Sequence, residues 1–205
     1  MKSKLNYLTA SAAAFVITTA SLQAKDEPGF YAKVDGGGAL QQSFKINNSD
    51  VAFNPGFRTD IGFGYNFCKA FAVEIEGGSI WNSFDKVGGI PLTSHEEGDL
   101  YQYPFLAKAI LKLPFENGLT PYIGGGLGGV ASTLHLKNSF FDEGSSDFGF
   151  AYQAEAGLKY AINQNIEVGV GYKFLGASGY NFFHDSLRTD DSFSHAIFAS
   201  FVWNF

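Results

Sequence analysis

The chain has 205 residues, a formal net charge of −6 and one cysteine. Its 45% of hydrophobic residues excludes an intrinsically disordered chain, and its acidic balance argues against a nucleic-acid partner, which needs a basic surface. The single Cys68 excludes an internal disulfide and a cysteine-based zinc cluster, while 25 glycines, 22 phenylalanines and 10 tyrosines suit strands and turns better than helices.

Residues 1–24 form the first predicted element, a secretory signal peptide. Lys2 and Lys4 give a basic start, residues 5–17 are mostly apolar, and the segment ends with the small residue Ala24, as signal peptidase sites do. We expect cleavage after Ala24, export of the chain, and one mature domain over residues 25–205. No later apolar run approaches the ~20 residues that a membrane-spanning helix needs.

The mature chain shows the two-residue period of β-strands. In residues 57–67 the odd-numbered positions are apolar or aromatic apart from Thr59, whereas the even-numbered positions are polar or glycine. A strand with this pattern has one apolar face and one polar face. The same pattern predicts seven further strands, near residues 30–40, 71–81, 101–113, 122–131, 148–160, 166–174 and 193–205.

Short and long connections alternate strictly between these eight predicted strands. The short ones are residues 66–69, 115–119 and 161–165, and the second contains Asn117-Gly118, a strong tight-turn signal. The long ones are residues 41–55, 82–99, 132–147 and 175–191. This alternation predicts an up-and-down antiparallel barrel with both chain ends on the short-turn side. Bacterial outer-membrane barrels place short turns in the periplasm and long loops outside the cell.

The distribution of charge indicates which face of the predicted barrel is inside. The polar faces hold six basic and six acidic residues among many glycines: Lys33, Asp35, Arg58, Asp60, Glu74, Glu76, Lys108, Lys112, Glu155, Lys159, Glu167 and Lys173. An eight-stranded barrel has an interior that side chains can fill, and balanced charges there can pair with each other. We therefore interpret the polar set as the lumen, the reverse of a soluble lipocalin. Hairpin geometry also predicts Lys159 opposite Glu167 and Arg58 beside Glu76.

Aromatic residues fall into two bands on the predicted lipid-facing surface. One band lies near the short turns (Tyr65, Phe67, Phe71, Tyr160, Trp203, Phe205) and the other near the long loops (Trp81, Tyr101, Tyr103, Phe148, Phe150, Phe174, Phe193). Such bands are typical of the interfacial girdles of membrane barrels. The predicted fold is all-β: an eight-stranded antiparallel up-and-down transmembrane β-barrel with a polar, side-chain-filled lumen, located in the outer membrane.

Five motifs carry a resemblance to a known family. They are Gly29-Phe30-Tyr31, the stretch from Thr120 to Gly128, Gly157-Leu158-Lys159-Tyr160, Gly171-Tyr172-Lys173-Phe174 and Phe201-Val202-Trp203-Asn204-Phe205. With these motifs the chain from Gly29 to Phe205 resembles the small outer-membrane β-barrel proteins of the OmpA, OmpX and opacity-protein type. That family includes structural proteins, adhesins and evasion factors. The chain stops at the barrel, so we expect no periplasmic peptidoglycan-binding domain of the OmpA kind.

The resemblance also implies how the barrel is assembled. Alternating aromatic residues that end in a carboxy-terminal phenylalanine resemble the signal recognised by the barrel assembly machinery. In this chain the signal would consist of Phe201, Trp203 and Phe205. The implied partners are therefore that machinery during biogenesis and the lipid of the outer membrane afterwards.

Catalytic motifs are weak in this sequence. The glycine run at 124–129 lacks the Gly-Lys-Ser/Thr of a phosphate-binding loop, so close backbone packing explains it better. Some eight-stranded barrels remove acyl chains from lipid with a Ser–His pair on the lipid side. Here Ser194 and His195 are adjacent on a strand and should point to opposite faces. We expect no catalysis and no cofactor.

The predicted loops are acidic. They hold four basic residues (Lys45, Lys86, Lys137, Arg188) against eleven acidic ones (Asp50, Asp85, Glu96, Glu97, Asp99, Asp142, Glu143, Asp147, Asp185, Asp190, Asp191). His95, His135 and His184 lie among them, but no spacing fixes a metal site. The acidic surface fits simple solubility, cation binding or contact with a basic partner.

The sequence thus favours a monomeric outer-membrane protein that presents four acidic extracellular loops to a host or surface ligand. Two alternatives stay open. The first is a small-solute or ion channel of low conductance, since rearranged lumen pairs could leave a narrow path; a wide channel needs about 16–18 strands. The second is an outer-membrane lipid-modifying enzyme.

Overall fold

The computed structural model describes residues 28–46, 49–87, 89–91, 97–137, 142–182 and 187–205. The expected signal peptide at residues 1–24 lies outside these residues, and so do His95 and His184. In the described part of the chain, no helix is long and apolar enough to cross a membrane.

Eight long antiparallel strands close into a barrel. They are Gly29–Gln41, Gly56–Cys68, Phe71–Val87, Glu97–Lys112, Leu119–Lys137, Asp142–Ala161, Ile166–Ala177 and Ser192–Asn204. Each strand pairs with its neighbours in chain order, and the first strand pairs with the eighth, with Tyr31 opposite Asn204. This closure leaves the barrel wall without an open edge inside the membrane, where unpaired backbone groups are costly. The predicted all-β eight-stranded fold is confirmed.

Five short strands lie at the long-loop end. They are Phe44–Ile46, Ser49–Phe53, Ile90–Pro91, Asn181–Phe182 and Leu187–Arg188. The first two form a hairpin that continues the sheet from the third barrel strand, with Val51 opposite Val87. Phe53 contacts both Phe44 and Phe84 across this extension, with ring centroids 5.1 Å apart in each of these two pairs. The outer end of the barrel is therefore built from structured hairpins.

The strands run further than their apolar pattern predicts. The expected loop at 132–147 is mostly strand, because the fifth strand ends at Lys137 and the sixth begins at Asp142. Outside the membrane both faces can be polar, so the apolar alternation stops while the backbone ladder continues. Thr133 and Ser146 illustrate this, since their hydroxyl oxygens lie 2.8 Å apart on paired strands.

Two predicted cross-strand pairs are wrong by a register shift. Lys159 lies opposite Gly169, and Glu167 lies opposite Ala161, because the short turn at residues 162–165 centres on Gln164. A similar shift near Cys68 places Arg58 opposite Ile80. Arg58 and Glu76 nevertheless meet inside the barrel, with Nη2 3.4 Å from Oε1. Long side chains in a narrow lumen thus find partners that are not their strand neighbours.

Side-chain direction follows the sequence pattern around the barrel wall. Large apolar side chains of all eight strands are exposed on the outside, including Phe30, Phe63, Phe105 and Ile197. The inward positions are buried and include the charged residues. An apolar exterior around a charged interior fits a protein whose surrounding solvent is lipid.

Glycines on the inner wall make room for aromatic rings. Tyr31 lies opposite Gly64, Tyr122 opposite Gly157, and Phe198 opposite Gly171. In each pair a Cβ on the glycine would collide with the aromatic ring across from it. The inward glycines therefore let large rings lie flat against the wall of a narrow lumen. Their number on the polar faces reflects packing of this kind.

Candidate functional site

The centre of the lumen is organised around the ammonium group of Lys173. Its Nζ atom is 2.7 Å from an oxygen of Asp35, 2.6 Å from Asp60 and 2.9 Å from Glu76. These three carboxylates come from the first, second and third strands, whereas Lys173 lies on the seventh. Every second side chain of each strand points into the lumen, so these four residues on separate strands meet at its centre.

Two further lysines share the carboxylates of the third strand. Lys33 Nζ lies 2.8 Å from Glu74 and 3.2 Å from Glu76. Lys108 Nζ lies 2.6 Å from Glu74, 2.5 Å from Glu76 and 3.0 Å from Glu155. Glu76 is therefore the acidic hub of the cluster.

Arg58 completes the central cluster together with an uncharged residue. Its Nε atom donates to both carboxylate oxygens of Asp60, at 3.0 and 2.9 Å. Its Nη2 atom donates to Gln153 Oε1 at 2.6 Å, and Gln153 Nε2 donates to Glu76 at 2.9 Å. Gln153 thus connects the Arg58 cation to the Glu76 anion through two hydrogen bonds. Its position on the polar face of the strand does not predict this role.

This central cluster can hold its charges away from water because they are paired. All nine ionic groups are buried: Lys33, Asp35, Arg58, Asp60, Glu74, Glu76, Lys108, Glu155 and Lys173. Removing such charges from water is expensive unless each one finds partners. Asp35, Asp60 and Glu76 have oxygens close enough to hold a metal ion. The Lys173 ammonium already lies among them, so this donor set is neutralised from within the protein and does not fit a further cation.

The remaining three charged lumen residues of the predicted set lie near the short turns. Lys112 Nζ donates to Asn66 Oδ1 at 2.7 Å, and Asn66 Nδ2 donates to Asn204 Oδ1 at 3.4 Å. Asn204 Nδ2 then donates to Glu167 at 3.1 Å. Two asparagines thus connect a cation to an anion across four strands. We call Asn66, Lys112, Lys159, Glu167 and Asn204 the inner mouth.

Apolar clusters close the lumen on both sides of the central cluster. On the third strand, Ala72 lies on the short-turn side of the glutamates and Ile80 on the loop side. The inner apolar cluster contains Tyr31, Ala72, Ile110, Tyr122 and Val202. The larger outer apolar cluster contains Ala39, Phe44, Val51, Ile80, Phe84, Leu100, Leu106, Val130, Leu134, Ala151, Leu175, Ala177 and Tyr180. The charge pattern predicted neither cluster.

Tyr180 brings a predicted loop into the outer apolar cluster. It follows the seventh strand and is fully buried, and Gln102 Nε2 donates to its hydroxyl at 3.3 Å. Its backbone nitrogen donates to Thr189 Oγ1 at 2.8 Å. Burial raises the pKa of the Tyr180 hydroxyl, so the group stays neutral. The segment around Tyr180 therefore folds inward over the lumen.

The sequence matches a family model described as "Outer membrane protein beta-barrel domain" over residues 9–205. The chain belongs to this family. The match also supports an outer-membrane location, as predicted. A search of curated proteins found no significant match.

Three solved structures show the same fold as this outer-membrane barrel. Neisserial surface protein A is 18% identical, with a TM-score of 0.61 over 88% of this chain and 100% of that one. OprG from Pseudomonas aeruginosa is 16% identical, with a TM-score of 0.54 over 90% and 99%. Ail from Yersinia pestis, solved with the heparin analogue sucrose octasulfate, is 13% identical, with a TM-score of 0.52 over 86% and 99%. At these identities the likeness concerns the fold.

The adjacent Ser194 and His195 of the barrel face opposite sides of the wall. Ser194 is buried in the lumen, whereas His195 is partly exposed on the outside. His195 Nδ1 shares a hydrogen bond of 2.5 Å with the hydroxyl of Tyr172, and its Nε2 lies 2.8 Å from Gln42 Nε2. The two side chains therefore do not form a Ser–His pair.

His135 is in the fifth strand, and its side chain lies outside the described part.

The outer end of the barrel carries a cleft with acidic walls. Its volume is about 710 Å³. The residues that line it come from the stretch after the first strand, from the segment between the seventh and eighth strands and from the start of the eighth: Gln42, Ser43, Phe44, Lys45, Asp50, Gly179, Thr189, Asp190, Asp191 and Phe193. Three aspartates face one lysine, so the cleft keeps the acidic character that the loops showed in the sequence.

Proposed function

We propose that this protein is a stable outer-membrane scaffold whose extracellular end contacts partners at the cell surface and which catalyses no reaction. The observation that carries the proposal is the filled lumen. A cluster of nine buried ionic groups lies between two apolar clusters. A barrel whose interior is packed in this way is suited to stability, which leaves its outer end as the functional surface.

The outer end has the features of a contact surface. The third to sixth strands are the longest of the barrel, and the acidic cleft lies between the hairpin after the first strand and the start of the eighth strand. Pockets of a few hundred to about 1,000 Å³ are the usual size of ligand sites. The cleft walls include the aromatic rings of Phe44 and Phe193 next to Asp50, Asp190 and Asp191. Such a surface favours a partner with basic and apolar groups.

The absence of catalysis is part of the proposal and is supported by the divergence of Ser194 and His195. A hydroxyl in the lumen and an imidazole on the lipid side cannot exchange a proton directly, because the barrel wall separates them. Both ring nitrogens of His195 already lie close to polar atoms, one of Tyr172 on the seventh strand and one of Gln42 just after the first strand. We interpret His195 as a tie between the strands near the outer interface.

The test replaces the outer segments while keeping the barrel. We predict that exchanging residues 42–55, 82–99, 138–141 and 178–191 for short glycine-asparagine turns abolishes adhesion of producing bacteria to cultured animal cells. A milder variant neutralises the cleft with Asp50→Asn, Asp190→Asn and Asp191→Asn, and Asp85→Asn is its matched control at an exposed site outside the cleft. A heat-modifiability gel checks that each variant still forms the barrel. Adhesion that survives the four exchanges in a folded barrel contradicts the proposal.

A further inference from the structure

The inner mouth contains a buried cation without a carboxylate partner. Lys159 is only 6% exposed. Among the described residues, no carboxylate oxygen lies within ion-pair distance of its Nζ atom. The contacts of that atom are aromatic, at 4.9 Å from the ring centroid of Tyr122 and 5.7 Å from that of Tyr31. Cation–π contacts offset only part of the cost of burying an ammonium group.

A buried hydroxyl beside this cation also lacks a partner. Tyr122 is 4% exposed, and its Oη atom has no hydrogen-bond partner in the described structure. The ring lies along Gly157, two residues from Lys159 on the sixth strand. A buried hydroxyl without a partner is costly. The Lys159 ammonium lies 4.9 Å from the centroid of the ring that carries this hydroxyl, so both groups can donate to one acceptor placed between them.

A second lysine of the inner mouth increases its positive charge. Lys112 on the fourth strand lies opposite Tyr122 on the fifth. Lys159 on the sixth strand lies opposite Thr120, which is also on the fifth. The two lysines are thus two strand spacings apart, about 10 Å along the wall, and the charge of Lys159 acts on Lys112. Glu167 is the one acidic member of the inner mouth, and Asn204 donates to it. Two ammonium groups against one carboxylate leave the inner mouth cationic. The Glu74 and Glu155 carboxylates, which also act on Tyr122 from the central cluster, are already paired with Lys108.

The position of the inner mouth limits what can reach it. It opens at the short-turn end, which faces the periplasm in bacterial outer-membrane barrels. The inner apolar cluster closes the lumen above it. A lumen of eight strands is narrow, so only a small ligand can enter. Oxygen acceptors suit ammonium and hydroxyl donors better than halide ions or apolar groups do.

We propose that the inner mouth binds one small periplasmic oxyanion, of the phosphate or short-carboxylate class, between Lys159, Lys112 and the hydroxyl of Tyr122. The anion accepts from both ammonium groups and from the hydroxyl, which gives the Tyr122 hydroxyl a hydrogen-bond partner and the Lys159 ammonium an anionic one. This site is separate from the extracellular contact surface and does not depend on the proposed adhesion function.

The test is calorimetric titration of the refolded protein in detergent micelles with inorganic phosphate, and in a second arm with succinate, at constant ionic strength. Lys159→Met should abolish binding, because it removes the cation and keeps the length of the side chain. Tyr122→Phe keeps the ring and removes only the hydroxyl, and it should weaken binding by about tenfold, as expected for a charge-assisted hydrogen bond. The control is Lys45→Met, which removes a lysine from the outer cleft.

Binding of one phosphate or one succinate per chain, lost in the first variant and retained in the control, supports the site, and the two arms show which oxyanion class it prefers. Two outcomes overturn the proposal: no binding of either anion by the heat-modifiable, folded protein, or equal binding by the Lys159→Met variant. Because Tyr122→Phe is isosteric, it gives an answer even if the lysine variant fails to fold.

Discussion

Lys173 shows how a single residue can organise the interior of this barrel. Its ammonium group contacts carboxylates from three different strands, all of them buried. In the lumen neither water nor a mobile ion is needed to neutralise these carboxylates, since a covalently attached cation is already in place. Such a cluster stabilises the barrel only while every charge in it has a partner. A buried charge that loses its partner keeps the full free-energy cost of its removal from water.

We predict that Lys173→Met destabilises the barrel by about 3–5 kcal/mol, the range seen when one partner of a buried ion pair is removed. Urea-induced unfolding in lipid vesicles, followed by tryptophan fluorescence, measures the change. The control Lys86→Met removes a half-exposed lysine that lies 3.9 Å from Asp85, and it should cost less than about 1 kcal/mol. Adding Asp60→Asn to Lys173→Met should recover part of the loss. Equal stability of Lys173→Met and the control would show that the cluster does not hold the barrel together.

At the scale of the strands, the barrel wall depends on rings that face glycines. The Tyr31 ring lies against Gly64 and its hydroxyl donates to Glu74 at 2.8 Å, so the ring cannot turn away easily. Gly157 and Gly171 accommodate Tyr122 and Phe198 in the same way. These pairs place bulky side chains in a lumen that would otherwise be too narrow for them, and they connect neighbouring strands in one register.

We predict that Gly64→Ala destabilises the barrel by about 1–3 kcal/mol, because the added methyl group overlaps the Tyr31 ring. The matched control is Gly38→Ala on the first strand, where an added Cβ meets no heavy atom within 4 Å. Both changes alter the backbone entropy of the unfolded chain equally, so their difference isolates the packing effect. The same urea titration compares them, and identical unfolding midpoints would argue against the ring-on-glycine explanation.

The last strand closes the barrel with its carboxy-terminal residue. The backbone nitrogen of Phe205 donates to the carbonyl of Phe30 at 3.0 Å, and its ring stacks on Trp203 with centroids 5.7 Å apart. We predict that deleting Phe205 lowers the amount of assembled barrel severalfold, because the deletion removes both the proposed assembly signal and this closing contact. Heat-modifiable protein in outer-membrane fractions is the readout. Phe115→Ser, which removes an exposed aromatic side chain from a short turn, controls for general loss of hydrophobicity. Normal levels after the deletion would refute the assembly role.

At the scale of the whole molecule, three closures lie in series along the lumen. The outer apolar cluster, the central charged cluster and the inner apolar cluster each fill the cross-section with different chemistry. Loss of one closure leaves two others, so a closed lumen should tolerate local change. This arrangement separates the proposed contact surface at the outer end from the inner mouth.

We predict that the refolded protein shows no steady conductance in planar bilayers, and that Tyr180→Ala remains closed because the charged cluster below it is unchanged. A porin measured in the same bilayers shows that the assay detects open channels. A stable, ion-selective conductance of the unmodified protein would mean that the lumen opens in the membrane. The channel alternative would then take the place of the scaffold proposal.

The sequence by itself determined the barrel, the sidedness of its wall and the charged content of its lumen. Those features depend on a two-residue period, on turn residues and on the balance of charges on one face, which are all local properties of the chain. The alternation of short and long connections added the order of the strands. The strand pairing confirms that order, and the family match agrees with the predicted barrel.

Only the tertiary structure decided which charges meet. Strand register depends on the exact length of each turn, and a shift at residues 162–165 separated Lys159 from Glu167. The closure of the sheet brought Lys173 to carboxylates on strands far away in sequence, and it recruited Gln153, Asn66 and Asn204 as relays. It also revealed the apolar clusters and the unpaired Tyr122 hydroxyl beside the inner mouth. These contacts join side chains of different strands across the lumen. The spacing of residues along one strand does not predict which residues of the other strands they meet.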